Sequence, residues 1–308
     1  MSRVQSVESA ILAQTRRGLR TLLAVPAARA GGLAKVEDLR LPGPAGPLPA
    51  RYYEAKDAHA APLLLYFHGG GFVCCDIDTH DSICSWLAKS SAGRVLAVGY
   101  RLAPEARFPA QLDDARAACV WAFQHAQRFG AAPDRIALAG DSAGAYLAAT
   151  LALELNRNTP GAVALQTLLY PLIHVQDSLW ADEELRNFRF LGRVACLYIA
   201  RSLGAETLPS LLDVDLTTAP PTIVAGGGPM DPVRNDVKAF VEKLRGAGVR
   251  VSERKYPVLM HGGLNFTAYS KTATSALHEV ARMVGAAPTG EAAAITGEEE
   301  LRVDLGVH

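Results

Sequence analysis

Gly140-Asp141-Ser142-Ala143-Gly144 lies between two segments of different character. Residues 134–139 form a short, mostly apolar run of strand type, and the alanine- and leucine-rich residues 145–155 are typical of a helix. Glycines on both sides of a serine allow the strand and the helix to approach closely while the serine occupies a strained turn. The order of strand, tight turn and helix therefore predicts that Ser142 is a nucleophile rather than an ordinary helix cap.

The rest of the chain repeats this alternation of short apolar runs and helical segments. The candidate strands are Leu63–Phe67, Val95–Val98, Ile136–Ala139, Leu165–Tyr170, Thr222–Ala225 and Val251–Tyr256. The candidate helices are 81–90, 113–128, 143–156, 233–246 and 271–284. Buried strands that alternate with helices predict an α/β fold with a mostly parallel central sheet flanked by helices.

Segments outside this alternation define the predicted domain boundaries. Residues 1–35 carry apolar side chains at helical spacing, which predicts amphipathic helices that either pack on the domain or cover a site. Residues 36–285 form the main domain, which begins with a hairpin whose strands flank the Pro/Gly-rich turn 42–47. Residues 178–204 are an insertion with its own helix, and residues 286–308 are a peripheral tail.

Composition limits the classes of partner. Hydrophobic residues make up 49% of the 308 residues, which is typical of a globular protein. The formal net charge is zero, so no overall field attracts nucleic acid or an anionic membrane. No segment has the apolar length that spans a bilayer. We therefore expect a small-molecule partner and no stable membrane insertion.

The cysteines bear on the cellular compartment. The chain has five of them, an odd number, and none forms a C-x-x-C pair. This usage is typical of a reduced, cytoplasmic protein without structural disulfides. Residues 15–20 weakly resemble a twin-arginine export signal. The apolar stretch 21–25 is too short for the hydrophobic region of such a signal, so export is not expected.

No metal or cofactor is expected. Cysteine, histidine and aspartate residues between Cys74 and Cys84 are close in sequence, but their spacing fits no structural zinc site. Packing and capping of the next helix explain them more simply. The chain also has no phosphate-binding loop and no convincing dinucleotide-binding motif.

A catalytic serine needs a base, and three histidines follow the last predicted strand. His261 lies in a loop beside Gly262 and Gly263, where its ring can be exposed. His278 falls in the middle of a helix, and His308 is the terminal residue. We therefore assign the base to His261.

The acid that orients this base is expected after the preceding strand. Asp231 follows that strand through a glycine-rich loop and precedes Pro232. Asp236 falls in the first turn of the next helix, where a solvated carboxylate is the simpler interpretation. The order serine, acid, histidine is that of an α/β-hydrolase sheet, so Asp231 is the predicted acid.

Donors for a developing oxyanion are predicted at two places. His68-Gly69-Gly70-Gly71 follows the strand Leu63–Phe67, and consecutive glycines let backbone N–H groups approach a ligand oxygen. Ala143, directly after the serine, supplies another N–H.

Several motifs in the same order resemble the hormone-sensitive-lipase family of α/β-hydrolases, over about residues 36–284. They are His68–Gly71, Tyr100–Glu105, Phe108–Ala110, Gly140–Gly144, Asp231–Asp236 and His261–Gly262. The resemblance implies a catalytic triad and an oxyanion hole, formed by Ser142, Asp231 and His261 and by the N–H groups of Gly70, Gly71 and Ala143. It also implies a small helical cap built from the N-terminal helices and residues 178–204. Cys74-Cys75 departs from the small or apolar residues usual at this point of the family.

These observations predict a cofactor-free serine carboxylesterase that acts through an acyl-enzyme, with a preference for short acyl chains. Two other functions use the same fold and remain open: a small-molecule receptor, and a lyase that acts on a phenolic or ketone scaffold. The intact Ser142, Asp231 and His261 count against the receptor. Both a monomer and a homodimer are compatible with the sequence.

Overall fold

An eight-stranded sheet runs through the centre of the protein in the computed structural model. The structure describes residues 14, 16–18, 21, 28–59, 61–131, 136–180, 182–204 and 208–286. The strands are β1 (Leu33–Leu41), β2 (Leu48–Ala55), β3 (Leu63–Phe67), β4 (Arg94–Val98), β5 (Ile136–Asp141), β6 (Leu165–Leu169), β7 (Thr222–Gly226) and β8 (Val251–Lys255). Their order across the sheet is β1-β2-β4-β3-β5-β6-β7-β8.

The sheet is mostly parallel, as predicted. From β4 through β3 to β8 every neighbouring pair is parallel, whereas β1 with β2 and β2 with β4 are antiparallel. The predicted edge hairpin is therefore present. Its first strand begins at Leu33, three residues before residue 36, where the main domain was predicted to begin.

Helices cover both faces of the central strands. They are α1 (Asp81–Ser90), α2 (Ala110–His125), α3 (Ala143–Asn158), α4 (Arg189–Leu203), α5 (Arg234–Gly246) and α6 (Lys271–Ala286). Every residue of β3, β5 and β6 is buried. Because successive strand side chains point to opposite faces, burial at every position requires cover on both sides.

The segment between β6 and β7 contains the predicted additional helix, α4. Short 3-10 turns at Asp177–Trp180 and Glu183–Leu185 precede it. The Trp180 ring packs so closely on Gly192 that a β-carbon at that glycine would overlap it. Most of the predicted N-terminal helices and residues 287–308 lie outside the described residues.

Parallel strands bring the loops that follow them to one edge of the sheet. Neighbouring β3 and β5 end at the glycine loop 68–71 and at Ser142, and neighbouring β7 and β8 lead to Asp231 and His261. The carboxyl edge of such a sheet is where ligands of open α/β folds bind. No helix among the described ranges is both long and apolar enough to cross a bilayer.

Candidate active site

Ser142 occupies a strained turn between β5 and α3. Its φ is 51°, a left-handed conformation that non-glycine residues rarely adopt. The turn is held because the Ser142 N–H donates to the Leu169 carbonyl at 2.9 Å and the Ser142 carbonyl accepts from the Leu172 N–H at 3.0 Å. A β-carbon at Gly144 would overlap the Phe67 carbonyl oxygen, so the close approach of β3 and α3 requires glycine there.

A continuous hydrogen-bonded chain joins the three residues predicted to form a triad. The Oγ of Ser142 lies 2.8 Å from Nε2 of His261. On the other side of the ring, Nδ1 of His261 lies 2.9 Å from Oδ1 of Asp231. When Nδ1–H donates to the carboxylate, Nε2 is left to accept the serine proton. This is the geometry that a nucleophile, a base and an orienting acid require.

The Asp231 carboxylate is itself held in place. Its side chain is buried, and backbone N–H groups bind both of its oxygens: Val233 donates to Oδ1 at 3.1 Å and Gly227 to Oδ2 at 3.2 Å. A carboxylate with both oxygens bound by the backbone cannot rotate freely. It therefore fixes the plane of the His261 ring.

The environment of His261 stabilises its protonated form. Burial favours the neutral ring, but the hydrogen bond and the negative charge of Asp231 outweigh it and raise the pKa of His261 above its ordinary value. The ring of Tyr170 packs beside it, with 5.0 Å between ring centroids. Tyr170 thus limits the movement of the imidazole from a second side.

The predicted oxyanion donors lie in a tightly bent loop. Gly70 and Gly71 have φ values of 107° and 60°, in the region that favours glycine. The carbonyl of Gly70 accepts hydrogen bonds from the N–H groups of Val73 and Cys74, each at 3.1 Å. No backbone carbonyl among the described residues accepts from the N–H groups of Gly70, Gly71 or Ala143. These three donors remain available to a ligand oxygen.

A buried polar cluster supports this loop, and the sequence reasoning missed it. Asp141, the residue before Ser142, accepts hydrogen bonds from the Tyr66 hydroxyl at 2.7 Å and from the Gly69 N–H at 2.8 Å. His80 adds a contact of 3.1 Å between Nε2 and the Asp141 carboxylate. The signal for this cluster in the sequence was a charged residue, Asp141, at the end of a buried strand. From the sequence, His80 was considered only within a possible zinc cluster, which was rejected in favour of packing.

Asp141 and His80 form a buried ion pair. Burial opposes charge on both groups, but each stabilises the charged form of the other. The pKa of Asp141 is therefore lowered and that of His80 raised. His68 differs, because burial and the nearby His80 charge lower its pKa to about 4 and keep its ring neutral. That ring stacks on Tyr100 with 4.3 Å between centroids.

Two of the residues that were not assigned to the triad, His278 and Asp236, contact other side chains. His278 Nδ1 contacts the Ser90 hydroxyl at 2.7 Å, and its ring packs on Trp86. Asp236 lies in the first turn of α5, 3.2 Å from Nε2 of His174. His308 lies outside the described residues.

Helix α4 lies beside the glycine loop. A β-carbon at Gly71 would meet the side chain of Ile199 at 2.6 Å. The end of the helix is tied to the motif at residues 108–110, since the Phe108 N–H donates to the Leu203 carbonyl at 3.1 Å. A separate cleft of about 780 Å³ is lined by α4 and by Val175 and Gln176, and none of the three triad candidates lines it.

Comparison with known proteins agrees with this architecture. Residues 64–265 match a family described as "alpha/beta hydrolase fold". The chain is 39% identical over 243 residues to the carboxylic ester hydrolase LipN of Mycobacterium tuberculosis, a match covering 75% of this chain and 64% of LipN. It is 36% identical to the esterase LipI of the same organism, over 79% of each chain. The chain thus spans a little less than two thirds of LipN and more of LipI.

A solved structure extends the similarity to three dimensions. An esterase from Pyrobaculum calidifontis superposes with a TM-score of 0.81 at 29% identity, covering 89% of this chain and 92% of that one. The fold and the family expected from the sequence motifs are therefore confirmed. The chain belongs to the α/β-hydrolase family, in its hormone-sensitive-lipase-like group of carboxylic ester hydrolases.

Proposed function

We propose that the protein is a serine carboxylesterase in which Ser142 is the nucleophile, His261 the general base and Asp231 the residue that orients the base. The observation that carries this proposal is the continuous pair of contacts, 2.8 Å from Ser142 to His261 and 2.9 Å from His261 to Asp231. A serine hydroxyl is a weak nucleophile until a positioned base takes its proton. These contacts supply that base in the required orientation.

In the first step the Oγ of Ser142 attacks the ester carbonyl carbon while its proton moves to Nε2 of His261. The carbonyl oxygen becomes an oxyanion, which the N–H groups of Gly70, Gly71 and Ala143 bind. Each such donor lowers the barrier because it is already oriented when the charge forms. His261 then returns the proton to the alcohol, which leaves, and Ser142 holds the acyl group.

In the second step water takes the place of the alcohol. His261 removes a proton from the water, whose oxygen attacks the acyl carbon, and the same donors bind the second oxyanion. Collapse of this intermediate releases the carboxylic acid and returns the proton to Ser142. His261 accepts and returns the proton in every transfer of this scheme, and the backbone N–H groups only bind the oxyanion. It requires no cofactor.

Short acyl chains are the proposed preference. Helix α4, within residues 178–204, acts as part of a cap over the site, and its Ile199 side chain stands against Gly71 of the oxyanion loop. A bulky branched side chain at this point shortens the space beside the reacting carbonyl. The N-terminal residues contribute to the same cap through Arg16, whose guanidinium donates to the Val73 carbonyl at 2.7 Å.

The enzyme is proposed to act in the cytoplasm as a monomer or homodimer, without a nucleic-acid partner. Cys74, Cys75, Cys84 and Cys119 are thiols outside any disulfide, which a reducing compartment favours. The neutral net charge offers no general attraction to phosphate backbones. Cell fractionation and light scattering of the purified protein test these points.

Covalent labelling tests the proposal as a whole. A fluorophosphonate should label the wild-type protein at Ser142, and a short-chain nitrophenyl ester should give a burst of nitrophenol followed by steady turnover. Ser142→Ala should abolish both signals. Unchanged turnover in that variant would refute the proposal. Binding without turnover in the wild type would favour a receptor, and failure to incorporate heavy oxygen from water into the acid would favour a lyase.

A further inference from the structure

Two adjacent cysteines follow the oxyanion loop and face each other. The Sγ atoms of Cys74 and Cys75 are 3.8 Å apart, and both side chains are partly buried. The thiol of Cys74 donates to the Gly70 carbonyl at 3.2 Å, alongside the backbone N–H of the same residue. The pair therefore contacts directly the loop that presents the proposed oxyanion donors.

Direct closure into a disulfide is geometrically unfavourable. The peptide between Cys74 and Cys75 is trans, which places their Cα atoms about 3.8 Å apart. Ordinary disulfides need about 4.4 Å or more between Cα atoms. A single atom bonded to both sulfurs is better accommodated. With bonds of about 2.3 Å, as in metal–thiolate sites, and an angle of about 95° to 110°, it holds its two sulfurs about 3.4 to 3.8 Å apart.

The ligands near the two sulfurs limit which atom can bridge them. Among the described residues, no three histidine, cysteine or acidic side chains are grouped closely enough to hold a metal ion. Structural zinc needs four ligands, so a two-sulfur site does not suit it. A monosubstituted trivalent arsenic compound, R–As=O, needs only two thiols, because its carbon substituent is the third ligand.

One of the two cysteines opens onto a surface cleft. Cys75 lines a cleft of about 290 Å³, which it shares with Tyr100 and with the turn of the β1–β2 hairpin. Pro47 and Leu48 supply apolar walls to this cleft. An aromatic substituent on arsenic bound to Cys75 can pack against these walls, and the Cys74 sulfur lies 3.8 Å from that of Cys75.

The two thiols differ in pKa. The hydrogen bond from Cys75 lowers the pKa of the Cys74 thiol, although burial opposes this shift. The same hydrogen bond and burial raise the pKa of Cys75. Cys74 is therefore the thiol of the pair that ionises more readily.

We propose that Cys74 and Cys75 form a dithiol site that binds monosubstituted trivalent arsenicals. The reaction is R–As=O + 2 R′SH → R–As(SR′)₂ + H₂O. Two As–S bonds form, the As–O bond breaks, and the two thiol protons leave with the oxygen as water. Arsenic stays trivalent and the sulfurs keep their oxidation state, so no oxidant or reductant is needed.

An arsenical bound to Cys74 and Cys75 should suppress the esterase activity. This expectation rests on the proposed function. Arsenic on Cys74 removes the S–H that donates to the Gly70 carbonyl and pulls that sulfur toward Cys75. The Gly70–Gly71 segment then shifts relative to Ser142. Since an oxyanion donor contributes about 100-fold or more to turnover, displacing one should lower kcat by about 100-fold.

Phenylarsine oxide is the probe for the experiment. Reduced wild-type protein is titrated with it, and intact mass, free-thiol content and turnover of a short-chain nitrophenyl ester are followed together. One phenylarsenic per chain should bind with loss of two thiols and of activity. A dithiol should reverse both effects, whereas a monothiol at equal thiol concentration should not. Peptide mapping of the adduct should place the arsenic on Cys74 and Cys75.

Variants distinguish binding of the arsenical from the esterase activity. Cys74→Ser and Cys75→Ser should not form the adduct that a dithiol reverses and a monothiol does not, whereas Cys196→Ser, a control in the other cleft, should behave as wild type. Ser142→Ala should bind the arsenical normally. No adduct in the wild type, or arsenic mapped to other cysteines, overturns the site. An adduct that leaves turnover unchanged overturns its coupling to the loop. Absence of esterase activity before the reagent is added, with normal binding, counts against the proposed function alone.

Discussion

The backbone N–H of Gly69 donates a hydrogen bond of 2.8 Å to the carboxylate of Asp141. Gly69 precedes the proposed donor Gly70, and Asp141 precedes the proposed nucleophile Ser142. The contact therefore joins the two loops on which the reaction would depend. It sets their distance through one buried carboxylate, which Tyr66 and His80 also hold.

Asp141→Asn should weaken both the fold and the reaction. The amide matches the carboxylate in shape, but its NH₂ group cannot accept hydrogen bonds, and it leaves His80 without a counter-charge. We expect the free energy of unfolding to fall by about 3 kcal/mol, as when one partner of a buried ion pair is removed. We also expect lower kcat with a smaller change in KM. Thermal unfolding and ester kinetics measure these effects.

Tyr66→Phe is the matched control for that variant. It removes one hydrogen bond to the same carboxylate but leaves the Gly69 and His80 contacts in place. The expected loss of stability is about 1.5 kcal/mol, with most of the turnover retained. Equal loss of activity in both variants would show that the contact between Asp141 and the glycine loop does not control turnover.

The activity should depend on pH through His261. A general base must be neutral, and Asp231 raises the pKa of His261 above its ordinary value of about 6.5. As pH falls through this raised pKa, His261 becomes protonated and kcat/KM should decline. The acid limb of the pH profile should thus lie above about pH 6.5, since kcat/KM reports the pKa of the free enzyme's base.

Asp231→Asn should shift the acid limb of the pH profile of kcat/KM. Loss of the carboxylate removes the charge that stabilises the protonated ring, so the limb should move to lower pH. Turnover should also fall by about 10,000-fold, because the ring is no longer held in the correct tautomer. An acid limb unchanged in the variant would show that another group controls the profile.

Gly144→Ala should be strongly destabilising although it adds only a methyl group. Its β-carbon would overlap the Phe67 carbonyl oxygen, which belongs to the rigid backbone of β3. Overpacking of this kind costs about 2 kcal/mol or more, measured as a fall in the free energy of unfolding by urea.

Gly246→Ala is the control substitution for the same measurement. Nothing lies within 4 Å of a β-carbon at this position, at the end of α5. The variant should be neutral or more stable by about 0.5 kcal/mol, because alanine reduces the freedom of the unfolded chain. Equal effects at the two glycines would contradict the close approach of β3 and α3.

Ile199→Ala should broaden the range of acyl chains. Its side chain stands against Gly71, so truncation opens space beside the proposed oxyanion loop. We expect kcat/KM for an octanoate ester to rise about tenfold relative to that for an acetate ester. Leu191→Ala, an exposed position on the same helix, should leave the ratio unchanged. A ratio unaffected by Ile199→Ala would mean that the acyl chain lies elsewhere.

Local sequence patterns predicted the elements of this fold well. The predicted strands match β3 to β8 within one or two residues at most ends, although β8 is largely polar and only partly buried, and the hairpin and the additional helix α4 are present. The physical reason is that burial on both faces of a sheet demands continuous apolar runs, which are visible without coordinates. Strand β1 begins at Leu33, before the predicted start of the main domain at residue 36, and Ala34 and Lys35 are exposed at the sheet edge, where no apolar run marks a strand.

By itself, the sequence determined the α/β class, the family, and which serine, histidine and aspartate to consider. These depend on local order along the chain, in which a strand, a glycine turn and a helix follow one another. Only the tertiary structure decided that Ser142 and His261 lie within hydrogen-bonding distance, that Asp141 binds the glycine loop, and that Ile199 stands over Gly71. Such contacts join residues far apart in the chain, so their distances follow from the lateral order of the strands and the packing of their loops, which no local pattern records.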